Sequence, residues 1–307
     1  MELNKIYLGD CLIESDKIES GSVDLILTDL PYGTIKGLGG DIEKYKRLSE
    51  SAWDTVIDTK SIFNIANRIL RKNGKMVLFA QQPFTTELVN NATPNIPYSY
   101  TMFWDKLHFA NCLIAKKAPV NYMEEILIFY KKYDFEGIHP LRPYFKKVME
   151  FIGLSLKQIN TKLGHRKAEH TFYIDSSQYG LCTEQTYTEL IEVFKIDEMP
   201  GFKLYDEISK ENDGLESTFN LWQGNKYKSN ILKYKKDYSG YHPTQKPLLL
   251  LEDLVKTFSN EEDTVVDLTM GSGSTAVACI NTNRNYIGFE LNTNYYNIAN
   301  DRIFLGR

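Results

Sequence analysis

The stretch Val265-Val266-Asp267-Leu268-Thr269-Met270-Gly271-Ser272-Gly273-Ser274-Thr275-Ala276 constrains this chain most. A short branched apolar run reads as a buried strand, the two glycines as a tight turn, and Ser274 onward as the start of a helix. Glycine lets the backbone approach a ligand closely, and a helix N-terminus offers free N–H groups to a carboxylate or phosphate. Nineteen residues past Gly271 comes Glu290, closing the strand Tyr286-Ile287-Gly288-Phe289. An acid about twenty residues beyond a glycine turn is the ribose-binding arrangement of nucleotide folds. The plainer alternative is a tight strand-to-helix turn followed by an incidental acid. No Gly-Lys-Ser/Thr follows the glycines, which argues against a P-loop and against nucleoside triphosphate hydrolysis.

A second stretch, Leu25-Ile26-Leu27-Thr28-Asp29-Leu30-Pro31-Tyr32-Gly33, has the same logic. The apolar run from Val23 to Leu27 reads as a buried strand, Pro31 moves Leu30 out of helical geometry, and Gly33 allows a sharp bend. Asp29 and Tyr32 are then expected at the carboxyl end of a strand, where open α/β sheets bind ligands. An accepting carboxylate beside backbone carbonyls and an aromatic face suits a planar ligand bearing an amino group. The alternative is a strand that stops at a Pro-Gly turn with a solvated acid.

The rest of the chain supplies the other elements. Strands are expected at 5–8, 23–28, 76–80, 100–104, 126–130, 264–268 and 286–290, seven in all. Helices are expected over Ser61 to Leu70, Thr85 to Asn91, Pro247 to Phe258, Ser274 to Asn281 and Thr293 to Phe304. The glycine- and charge-rich segment from Thr34 to Trp53 looks like a lid or loop. The chain ends one helix after Glu290, so Lys5 to Leu8, followed by Gly9-Asp10, is expected to supply the neighbouring strand from the N-terminus. Residues 1–132 and 239–307 make two halves of one domain, with 133–238 an inserted module, since apolar runs give way there to charges and tyrosines. With 307 residues and 42% hydrophobic content, a sizeable core is within reach. Cys11, Cys112, Cys182 and Cys279 are scattered, which argues against a zinc site or disulfide framework and, with no signal-peptide pattern or long apolar run, points to a cytoplasmic protein without a metal.

Asp29-Leu30-Pro31-Tyr32 resembles the D-P-P-Y motif of DNA amino-methyltransferases. Tyr241-His242-Pro243-Thr244-Gln245-Lys246-Pro247 resembles their H-P-T-x-K-P motif, and Asp267 to Thr275 their D-P-F-x-G-S-G-T motif. The order is that of the circularly permuted β group, over residues 1–132 and 239–305. Leu30 replaces a proline, and Leu268-Thr269 replaces Pro-Phe, so an aromatic that packs on the cofactor is missing. The resemblance implies a Rossmann-like methyltransferase with a seven-stranded mixed sheet that uses S-adenosyl-L-methionine (SAM). It places Asp10 at the cofactor adenine, Glu290 at the ribose, and Lys246 with the turn Asp267, Gly271, Ser272, Gly273, Ser274 and Thr275 around the remainder. Asp10 can equally be a helix N-cap, and Lys246 a solvated surface lysine.

It also implies the chemistry. Asp29, with a backbone carbonyl at Leu30 or Pro31, accepts hydrogen bonds from an exocyclic amine, while Tyr32 stacks on a base flipped out of duplex DNA. Aspartate at position 29 favours adenine N6. Cytosine N4 methylation is the runner-up, and a DNA-binding regulator that lost catalysis is the reading from another class. The net charge of −4 neither demands nor excludes DNA, because a local basic face suffices.

Phe151 to Tyr173 reads as a helix-turn-helix: Ser155 caps a first helix through Lys162, Gly164 turns, and Arg166, Lys167, Glu169 and His170 begin a second helix. Nine basic residues lie between Lys131 and His170 (Lys131, Lys132, Arg142, Lys146, Lys147, Lys157, Lys162, Arg166, Lys167), against the acids Asp134, Glu136, Glu150 and Glu169. Lys157, Arg166 and Lys167 here, with Lys116 and Lys117 in an earlier loop, are candidate DNA contacts; an ordinary solvated helical insertion is the alternative. The recognition site, a cognate nuclease and the choice between monomer and homodimer stay open.

Overall fold

A computed structural model of the chain describes residues 1–32, 57–110, 115–132, 141–176, 178–213, 217–237, 241 and 245–304. The expected lid from Thr34 to Trp53, Gly33 and His242-Pro243-Thr244 lie outside the described residues. So does Cys112.

Eight strands form one sheet: β1 (Lys5–Leu8), β2 (Val23–Thr28), β3 (Leu70–Ala80), β4 (Tyr98–Ala110), β5 (Asn121–Tyr130), β6 (Ile231–Lys233), β7 (Thr264–Asp267) and β8 (Asn285–Glu290). Their order is β1-β8-β7-β2-β3-β5-β4-β6. The pairs from β1 through β3 are parallel, β5 runs antiparallel to β3 and β4, and β6 is parallel to β4. β1 takes the place beside β8, with Lys5 opposite Ile287 and Leu8 opposite Glu290.

Strand alternation builds a core on each face of the sheet. Ile26, Met76, Leu78, Leu127 and Phe129 turn to one face, against Ile62, Phe63, Ala66 and Ile69 of the helix Thr59–Ile69. Leu25, Leu27, Val77, Phe79, Ile126 and Ile128 turn to the other, against Leu250, Leu251, Leu254 and Phe258 of the helix Leu248–Phe258. β7 leads through the helix Ser274–Asn281 to β8 on one side, while β2 leads through Thr59–Ile69 to β3 on the other. The strand order therefore reverses between β7 and β2, which opens a crevice at their carboxyl ends.

The eighth strand corrects the expected seven. Ile231-Leu232-Lys233 buries only Leu232, so its apolar pattern is too short to announce a strand. It is held by the N–H of Phe103 donating to the Asn230 carbonyl at 2.7 Å and by the Trp104 indole donating to the Tyr234 carbonyl at 2.7 Å.

The insert is also smaller than the expected 133–238. Residues 133–216 form a compact unit of their own, and Ser217 onward belongs to the sheet-bearing unit. Asn220 fixes that segment: its backbone N–H donates to the Thr257 carbonyl at 2.8 Å, and its side-chain amide donates to the Lys256 and Ser259 carbonyls. The smaller unit packs around Phe145, ringed by Tyr144, Phe172, Tyr179 and Tyr187.

Within that unit the first expected helix forms, Leu156–Leu163, with a Ser155–Gln158 capping box and Gly164 at φ 76° closing it. The second does not. Arg166 and Lys167 lie in a turn before a four-residue 3-10 segment, Glu169–Phe172, and the next α-helix is Glu184–Phe194. Two of the nine basic residues also leave the surface account. Lys131 is fully buried, donating to the Leu70 carbonyl at 2.7 Å, and Arg142 donates to the carbonyls of Ile174 and Ser176. Among the described residues no helix is long and apolar enough to cross a membrane.

Candidate active site

The crevice at the strand reversal is a cavity of about 910 Å³. That volume suits a nucleoside-sized cofactor together with part of a second ligand. Asp10, Asp29, Tyr32, Glu124, Lys246, Asp267, the turn after it and Glu290 all line it.

One wall is the glycine turn. Gly271 and Gly273 have φ of 55° and 83°, a region that strains any residue with a Cβ. A Cβ at Gly273 would also come within 3.0 Å of the Ala299 Cβ. The Gly271 N–H donates to Glu290 Oε2 at 2.7 Å, and the Asn292 N–H donates to Oε1 at 2.7 Å. Each carboxylate oxygen thus keeps a lone pair for a ligand. Burial raises the Glu290 carboxyl pKa, and the two N–H donors pull it back. Behind the turn, the buried Arg302 donates to the Ser272 carbonyl at 2.7 Å and to Ser274 Oγ at 3.1 Å.

Asp267 ties the turn to β2. Its carboxylate accepts from Thr28 Oγ1 at 2.8 Å, the Thr269 N–H at 3.0 Å and Thr275 Oγ1 at 2.6 Å. Desolvation pushes its pKa up to about 6, although these donors oppose the rise. Thr269, where the resembling motif has phenylalanine, donates its hydroxyl to the Asp29 carbonyl at 3.0 Å and sits 2.8 Å from the Thr28 hydroxyl. Leu268 enters the core instead. The substituted pair therefore fastens the ends of β2 and β7 together.

Asp10 caps the short helix Cys11–Glu14 by accepting from the Leu12 N–H at 2.9 Å, and it also faces the cavity. The two readings of this residue are compatible, because one oxygen caps and the other stays available.

The opposite wall carries Asp29. Tyr32 donates its hydroxyl to Asp29 Oδ1 at 2.8 Å, and its ring lies 5.2 Å from that of Phe84. Lys246 Nζ stands 2.5 Å from Asp29 Oδ2 and 3.0 Å from Glu124 Oε1, so it is a buried ion-pair partner and not a solvated lysine. Glu124 Oε2 in turn lies 3.0 Å from Lys106 Nζ. Desolvation raises the Asp29 pKa; Lys246 opposes the rise, and the charge of Glu124 adds to it. The same burial raises the Tyr32 phenol pKa and keeps it a donor.

Sequence reading missed Glu124, Lys106 and Arg302. For Glu124 a signal existed. It precedes Ile126 and Ile128 at period two, so it shares their inward face, and an acid there must find a cation. Lys106 gave the same signal, at period two from the buried Met102 and Trp104, whereas Arg302 gave none, because its partners in the glycine turn are distant in sequence. Lys116, Lys117, Lys157, Arg166 and Lys167 are all exposed. Arg166 forms a forked pair with Glu169, both contacts at 2.7 Å.

A sequence model of the N6/N4 family, described as DNA methylase, matches residues 23–301. The chain belongs to the N6/N4 DNA methylases. Over nearly its whole length this methylase is similar to the type II methyltransferase M.HindIII of Haemophilus influenzae (25% identity, 97% of this chain and 94% of that one). It is likewise similar to the DNA adenine methyltransferase YhdJ of Escherichia coli (26% identity, 98% and 83%). In fold it resembles the M1.HpyAVI–SAM complex (TM-score 0.53, 19% identity, 97% and 98% covered). It also resembles the cytosine-N4-specific PvuII DNA methyltransferase (TM-score 0.53, 13% identity, 97% and 85%). The methylase acts on DNA with SAM as cofactor. Its cavity fits that group: Asp10 and Glu290 would offer carboxylate oxygens to its polar groups, while Met270, Phe289 and Leu291 would offer apolar surface to a purine.

Proposed function

We propose that this methylase transfers a methyl group to the N6 amine of adenine at a specific site in duplex DNA. The observation that carries the reading is the Asp29 carboxylate at the carboxyl end of β2, facing the cavity with Tyr32 and Lys246 on its two oxygens. A carboxylate there accepts an N–H of the target amine, and a backbone carbonyl at Leu30 or Pro31 accepts the other. With both N–H groups held, the nitrogen lone pair is freed from the ring and aimed at the electrophile. SAM, when bound, supplies the methyl group already activated on a sulfonium, so no covalent nucleophile is needed from the protein. Tyr32 offers its ring to the base and its hydroxyl to Asp29. A base inside the duplex cannot reach a walled cavity, so it is flipped out, at a cost of a few kcal/mol.

Glu290, Asp10 and the glycine turn hold the cofactor. Asp267 acts one step back, by shaping the turn. Lys246 acts chiefly as the counter-ion of Asp29, which departs from the role its motif implied. Exposed Lys116 and Lys117 on the sheet unit and Lys157, Arg166 and Lys167 on the insert contribute phosphate contacts. The names of the full-length relatives, an adenine methyltransferase and a type II methyltransferase, support adenine as the base and a restriction-modification setting. The test is to incubate the protein with SAM and unmodified genomic DNA, then identify the methylated nucleoside by mass spectrometry and its position by modification-sensitive sequencing. N6-methyladenine in one short motif is expected; N4-methylcytosine would overturn the choice of base.

A further inference from the structure

Four charged side chains close the wall behind the reacting position, and only two of them belong to motifs. Lys246 is shared by two carboxylates, Asp29 at 2.5 Å and Glu124 at 3.0 Å, and Glu124 is shared by two lysines, Lys246 and Lys106, each at 3.0 Å. Lys106, Glu124 and Lys246 are all buried. The Tyr32 hydroxyl spans both acids, at 2.8 Å from Asp29 and 3.4 Å from Glu124. Glu124 stands opposite Trp104 in the β4–β5 register, so the antiparallel hairpin brings both Glu124 and Lys106 to the end of β2.

This arrangement answers a difficulty in the chemistry. Asp29 carries a donor on each oxygen, Tyr32 on Oδ1 and Lys246 on Oδ2, so the incoming amine must either share an oxygen with one of them or take the place of the Lys246 ammonium. A buried ammonium that loses its carboxylate is strongly destabilising. Glu124 removes that conflict, because it already contacts Lys246 and is itself neutralised from behind by Lys106. We propose that Glu124, braced by Lys106, is a positioning residue for methyl transfer: it takes up the Lys246 ammonium as Asp29 turns an oxygen to the target amine. The proposal rests on the reading of Asp29 as the amine acceptor.

Other ionisable groups lining the cavity beside this cluster include Tyr32 from the turn after β2, Lys236 and Asp237 from the segment after β6, and Asp267 from β7. None of them gives Lys246 a second carboxylate at contact distance. Two substitutions then act in opposite senses. Glu124→Gln leaves Lys246 committed to Asp29, so the amine must compete with it, while Asp29 stays ionised to lower pH. Lys106→Met leaves Glu124 short of a cation and draws Lys246 away from Asp29, so Asp29 protonates at higher pH.

The experiment uses the full chain and an unmethylated duplex oligonucleotide carrying the motif that it methylates. Single-turnover transfer is measured across pH at saturating SAM. The Asp29 carboxyl is followed in parallel by carbon-13 signals of aspartate-labelled protein, assigned with Asp29→Asn. Glu124→Gln is expected to slow transfer about 10- to 100-fold, the worth of one charge-assisted hydrogen bond, and to move the acid limb and the Asp29 titration to lower pH. Lys106→Met is expected to move both to higher pH, and Glu124→Asp to restore the wild-type limb. A merely structural role would lower the folded fraction in each variant without opposed shifts, and unmoved limbs in folded Glu124→Gln and Lys106→Met would overturn the proposal. Asp29→Ala separates the two levels. If it abolishes transfer while the limbs stay unmoved, the role of Glu124 fails alone; if it transfers at a near-normal rate, the reading of Asp29 itself fails.

Discussion

Replacing Glu290 by alanine tests the cofactor wall quantitatively. The carboxylate accepts from Gly271 and Asn292 at 2.7 Å each, one donor per oxygen, and is 8% exposed. Truncation leaves two turn N–H groups without their acceptor and removes the acceptor for the ribose. Losing the two turn bonds acts mainly on folding, at about 1–3 kcal/mol for each group left unsatisfied. Losing the ribose bond acts on binding. At about 1–3 kcal/mol it corresponds to roughly 5- to 150-fold in Kd. Glu290→Gln keeps one oxygen and should lose less. Burial raises the Glu290 pKa, so SAM affinity in the wild type should fall as pH drops toward that value, and the alanine variant should lose this dependence. Titration calorimetry with SAM reads both effects. An unchanged Kd in a folded Glu290→Ala protein would remove Glu290 from the cofactor site.

Tyr32→Phe should slow transfer by about tenfold, because Asp29 Oδ1 loses its donor. Tyr32→Ala should also lose about 1–3 kcal/mol of stacking on the base, which equilibrium binding to an oligonucleotide would show. The raised pKa of Asp267 means that the folded state binds its proton more tightly than the unfolded chain does. Its protonated form stabilises fully below the ordinary aspartate value of 3.8, and that contribution is lost as pH rises to about 6. The difference in unfolding free energy between wild type and Asp267→Asn should therefore fall across that window by on the order of 3 kcal/mol; denaturant titrations at several pH values check it. Replacing Lys157 and Lys167 together by alanine should flatten the salt dependence of DNA binding by about one to two phosphate contacts and leave SAM affinity unchanged. A constant slope would exclude both lysines from the DNA interface.

The sheet was legible wherever apolar runs were long. β2, β7 and β8 each bury most of their side chains and β5 buries the run Ile126 to Phe129, and with the glycine turn they pointed to an α/β sheet with its site at the strands' carboxyl ends. β6 was illegible because three residues with one buried side chain carry no periodicity. The end of the insert was misplaced for a related reason. Ser217 to Ser229 has the polar, tyrosine-bearing character of the insert, and Asn220 joins the sheet unit through backbone carbonyls of a distant helix. The second helix after Gly164 was read from charge, but charge does not supply the apolar face a helix buries, and the chain takes a 3-10 turn.

The site divided in the same way. Asp29, Tyr32, Gly271 and Glu290 could be found because turn chemistry fixes them locally. The partners of Lys246 could not, since Asp29 lies 217 positions away and Glu124 comes from a different strand. Tyr32 gained a task the sequence did not suggest: its hydroxyl, which stacking does not need, holds Asp29.

The central claim is that Asp29 accepts the target amine, and single-turnover methyl transfer by Asp29→Ala at saturating SAM tests it most directly. The strand, the Pro-Tyr turn and the cofactor wall do not depend on the Asp29 side chain, so SAM should bind Asp29→Ala with wild-type affinity. Transfer should collapse, because an acceptor that orients the lone pair acts mainly in the transition state. A folded, SAM-binding Asp29→Ala protein that methylates its site at a near-normal rate would contradict the account.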